Sequence, residues 1–124
     1  MTYEKLKPGY EIVYTVTDYY VGPRGGIVSY QGKPHVYECI FDESKDSYSE
    51  LFRLAPIDEE TFKLALEDWA IWQRWELAYY SGQTDIGTHP ALPHEARSHA
   101  ELKEFLDEAL VIDPQRATMR FWKI

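Results

Sequence analysis

The stretch from Asp58 to Gly82, DEETFKLALEDWAIWQRWELAYYSG, constrains the fold more than any other part of the chain. No proline or glycine lies between those two residues. Apolar residues recur through it at helical spacing, which predicts one helix of roughly 22 residues, about 33 Å long. Asp58 is a suitable N-cap, since its carboxylate can accept from a free N–H of the first turn. Ile57 and Phe62 occupy the two positions of a hydrophobic staple. Glu59 and Glu60 sit at the positive end of the helix dipole. Ser81-Gly82 reads as the C-terminal cap, with Gly82 in the left-handed conformation.

At about 100° per residue, Lys63, Glu67 and Arg74 fall on one narrow stripe, the clearly solvated one. Phe62, Ala65, Leu66, Trp69, Trp72, Trp75, Leu77, Tyr79 and Tyr80 spread over much of the rest. So wide an apolar arc predicts a helix covered on more than one side, by a sheet and by a second helix. Trp69 and Trp72 are expected to be mostly buried, and Lys63, Glu67 and Arg74 exposed. Glu76 is the exception within the arc. A carboxylate among indoles is costly unless it is paired or serves a lined pocket. In the pocket reading, Glu76 joins Trp72 and Tyr79 on the helix with Arg24, Tyr14, Tyr30 and His35 from the strands before it. Aromatic faces and an acid together suit a cationic or hydroxyl-bearing ligand.

Upstream, residues 1–9 read as a polar arm. Tyr10 to Tyr20 is rich in β-branched and aromatic residues and predicts a long strand. Gly22-Pro23-Arg24-Gly25-Gly26 predicts a turn. Ile27 to Tyr30 is a short strand, Gln31 to Pro34 a tight connection, and His35 to Asp42 the returning strand. Glu43 to Ser49 reads as a polar loop, and Glu50 to Ala55 as a fourth strand or a short helical turn. After the central helix, Gln83 to Pro93 is a loop. A second helix is expected from about His94 to Leu110, with Pro93 suited to its first turn. Ala117 to Trp122 reads as an edge strand or a packed tail. The expected architecture is α+β in a single domain, residues 1–124. An antiparallel sheet of about four strands forms an N-terminal meander, and two helices follow, packed on one face.

A chain of 124 residues can bury about two-thirds of its unfolded surface. A net charge of −8 argues against nonspecific binding to nucleic acid or an anionic membrane, since both need clustered lysine and arginine. The acids concentrate. From Glu38 to Glu60 there are eight of them, against Lys45 and Arg53. The single Cys39 cannot form an internal disulfide and fits a reducing compartment. The N-terminal residues MTYEKLKPGYE have no apolar core of the signal-peptide kind, so the expected location is the cytoplasm.

Catalytic and metal motifs are absent. His89, His94 and His99 are spaced by five, and His94 and His99 would diverge by roughly 140° on a helix. Gly-Pro-Arg-Gly-Gly lacks the Lys-Ser/Thr of a phosphate loop. No cofactor or metal is expected. The leading functional expectation is a non-enzymatic module that binds a protein with a basic surface, in the manner of an immunity protein, antitoxin or inhibitor. Asp42, Glu43, Asp46 and Glu50 are the docking residues. The alternative is the small-molecule or enzymatic pocket between the sheet and the tryptophan-rich helix.

Overall fold

The computed structural model of the chain describes residues 12–19 and 23–121. The expected N-terminal arm, Tyr10 and Tyr20 at the ends of the expected first strand, Gly22 and Trp122 lie outside those residues. The fold is α+β, with a five-stranded antiparallel sheet and two helices. The chain divides into two compact units. One comprises Met1–Glu59 with Val111–Ile124, and the other is Glu60–Leu110.

The sheet unit contains β1 (Val13–Tyr19), β2 (Pro23–Tyr30), β3 (Lys33–Asp42), β4 (Ser47–Pro56) and β5 (Thr118–Phe121), paired in that order. The fifth strand, from the C-terminal segment, lies against Leu51–Leu54 of β4. Residues directly opposite in an antiparallel pair share a face. Tyr37 lies opposite Leu54, and Cys39 opposite Phe52. Those four side chains and Val28 form a buried cluster, bordered by Val13, Tyr30 and Tyr48. Ile27 opposite Val36 buries residues on the other face.

Two expectations about this sheet need correction. Pro23 to Gly26 is strand rather than turn. Gly25 faces Asp18 on one side and Glu38 on the other, and Gly26 faces Val16 and Tyr37. The reason is a close backbone approach. Gly26 has φ 153°, and a Cβ there would come within 2.1 Å of the Thr15 carbonyl oxygen. Glycine in a strand commonly marks such a crossing. The pairing of β1 with β2 is correspondingly irregular, with a register shift between Val13 and Thr15. Thr15 repairs it, since its Oγ1 accepts from the Ile27 N–H at 2.9 Å.

The second correction is the polar loop, which shrinks to Glu43–Asp46, with Ser47 to Ser49 inside β4. The segment left open as strand or helical turn is strand, its buried residues alternating as Phe52 and Leu54. The register shifts between Cys39 and Phe41, and Ser49 Oγ donates to the Ile40 carbonyl there at 2.6 Å. The tight connection between β2 and β3 is a two-residue turn. Gln31 and Gly32 both have positive φ, 54° and 77°, which is the type I′ geometry that matches strand twist.

In the helical unit, α1 spans Glu59–Tyr80, 22 residues, as its sequence predicts. Its C-terminus is closed by paired bonds. Gly82 N–H donates to Tyr79 and Gln83 N–H to Ala78, with Gly82 at φ 77°. That is a Schellman cap, and glycine tolerates the left-handed residue it needs. The second helix, α2 (Ala96–Ala109), is preceded by a 3₁₀ turn over Pro93–Glu95. Lys63, Glu67 and Arg74 are exposed, as expected. The buried stripe of α1 is Thr61, Ala65, Ile71, Trp75 and Ala78. Trp69 and Trp72 are only half-buried, while Leu77 and Tyr80 are exposed. The buried face is thus narrower than the apolar arc and rotated away from Trp69. Among the described residues, no helix is long and apolar enough to cross a membrane.

Candidate partner-docking site

Three of the candidate docking acids, Asp42, Glu43 and Asp46, stand where β3 turns into β4. The turn is closed by backbone bonds from Lys45 N–H to the Asp42 carbonyl at 3.2 Å, and from Asp46 N–H to Glu43 at 3.3 Å. Asp46 adopts a positive φ of 50°, which aspartate tolerates better than most residues. Asp42 is fixed from within the turn. Its Oδ1 accepts from the Ser44 hydroxyl at 2.6 Å and from the Ser44 N–H at 3.0 Å. The Ser44 hydroxyl bond is the main reason its carboxyl is held below the usual aspartate range, and the backbone bonds and Lys45 add to it. Glu43, Asp46 and Glu50 are exposed, as is Lys45. The turn therefore carries Asp42, Glu43 and Asp46 on a hydrogen-bonded backbone, against one lysine, with the Asp42 carboxylate fixed by Ser44. Glu50 follows on β4. Glu38, in the same acidic stretch, is committed elsewhere: it accepts from Arg53 Nη1 across the strands at 2.8 Å.

The residues expected to line a pocket fall in both units. In the sheet unit, Arg24 Nη1 lies 3.6 Å from Cys39 Sγ, and its guanidinium sits 4.6 Å over the Tyr48 ring. Cys39 is buried, donates to the Ser49 carbonyl at 3.1 Å, and has its thiol pushed up by burial. His35 is buried at the start of β3. Its Nδ1 donates to the Lys33 carbonyl at 2.9 Å, and its ring meets Tyr30 edge-on at 5.2 Å. Arg120 lies 5.2 Å over the Tyr30 ring. His35 and Tyr30 are thus brought together, whereas Arg24 is engaged with Cys39 and Tyr48. Tyr14 is half-buried on β1.

In the helical unit the centre is Trp75. Its Nε1–H donates to Thr88 Oγ1 at 2.8 Å, and Tyr79 stacks on its ring at 5.0 Å. His89 meets the same ring edge-on at 4.6 Å and that of Trp72 at 6.1 Å. Trp72 also meets Trp69 at 5.3 Å. Glu76 is half-buried rather than enclosed. Among the described residues of the helical unit, no hydrogen bond or ion pair reaches its carboxylate.

Of the remaining histidines, His99 joins α2 to α1, while His94 meets its neighbour in the 3₁₀ turn. His99 Nδ1 lies 2.6 Å from Asp68 Oδ1, and His94 lies 3.8 Å from Glu95. Glu95 also takes a two-pronged contact from Arg74, whose Nε lies 2.9 and 3.1 Å from its two oxygens and whose Nη2 bonds the second. The Arg74 hydrogen bonds hold the Glu95 carboxyl below its usual range.

One acidic feature escaped the sequence reading. Glu101, Glu104, Phe105 and Glu108 line a shallow, open depression of about 440 Å³ on α2. The signal was available, since residues 101, 104 and 108 repeat at helical spacing and share a face. Comparison with protein-family models, curated proteins and solved structures returns no match to this chain.

Proposed function

We propose that this chain is a small acidic protein-binding module, and that the turn between β3 and β4 docks a partner with a basic surface. One observation carries the reading. Asp42, Glu43 and Asp46 are held on a hydrogen-bonded turn, and the Asp42 carboxylate is fixed there by Ser44, which donates to it twice. Such a turn costs little further ordering on binding, and fixed charges steer association more than loose ones do. Glu50 is exposed on β4, the strand that leaves the turn, and the chain carries a net charge of −8. The mode of action is that of an immunity protein, antitoxin or inhibitor, which occupies a basic functional surface on its target.

The test is affinity capture from the source cell at low salt. Wild type and a variant carrying Asp42→Lys, Glu43→Lys and Asp46→Lys serve as baits, with the fold of both checked by circular dichroism. The proposal expects one protein retained by wild type and lost by the folded variant. Equal retention by both baits, or none by either, overturns it.

A further inference from the structure

We draw no further inference here: the strongest candidate, the exposed apolar end of α1 where Leu77 and Tyr80 stand one turn apart, is a helix face with nothing in the structure to show what covers it.

Discussion

Trp75 is the side chain on which the helical unit closes. It is 4% exposed, and its indole N–H is satisfied by Thr88, which ties the loop after α1 back onto the helix. Trp75→Ala should cost about 3–5 kcal/mol in chemical denaturation, as deletion of a large buried aromatic does. Trp69→Ala should cost clearly less, because Trp69 is only half-buried. Equal losses would mean that the helix rotation is wrong. Thr15 supports a second local argument. Its hydroxyl supplies the acceptor for a buried N–H at an irregular register, so Thr15→Val keeps the shape and strands that donor. A loss of about 1–3 kcal/mol is expected from urea titration, with Thr15→Ser much milder. Glu95 gives a pH signature. Its folded-state pKa is depressed, so the Arg74 contact stabilises above the ordinary glutamate value of about 4.3 and fades as pH falls through the lower folded value. Wild type should therefore exceed Glu95→Gln in stability at neutral pH, by no more than about 1 kcal/mol because Arg74 is more than half exposed. The two melting curves should converge in acid. A gap unchanged down to the lowest pH would contradict the assignment.

At the scale of elements, what was legible in the sequence was whatever local chemistry decides. The bounds of α1 follow from an uninterrupted period and a capping glycine, and the hairpin at Gln31-Gly32 from its turn residues. The rotation of α1 was not legible. Tryptophan and tyrosine are amphipathic and count as apolar wherever they fall, whereas Thr61, Ala65 and Ala78, which mark the buried face, carry little hydrophobic signal. The strand at Pro23–Gly26 was hidden for a different reason. A proline-glycine run signals a turn locally, and only the approach of β1 explains why glycine is needed inside a strand. Gly26→Ala tests this. The added methyl would meet the Thr15 carbonyl, so the sheet must shift, and the loss should exceed the roughly 1 kcal/mol that a residue change in an open strand costs. A variant as stable as wild type in thermal melts would show that the crossing is looser than described. The acidic turn was legible from composition, but its arrangement was not, because the bonds from Ser44 depend on the turn closing between paired strands.

The whole molecule carries a net charge of −8. An excess of acids over bases repels anionic polymers and attracts basic surfaces at long range, with a reach of about 8 Å at physiological ionic strength. Within the β3–β4 turn the backbone is closed by its own hydrogen bonds, and Asp42 is fixed by those from Ser44. The most direct measurement is the association rate of the captured partner with wild type and with the Asp42→Lys, Glu43→Lys, Asp46→Lys variant, followed by stopped flow from about 20 to 500 mM salt. The account predicts a rate for wild type that falls steeply with salt, and a variant that is slow at low salt and nearly insensitive to it. Matching rates and matching salt slopes for the two proteins would contradict it, and would mean that the turn takes no part in binding.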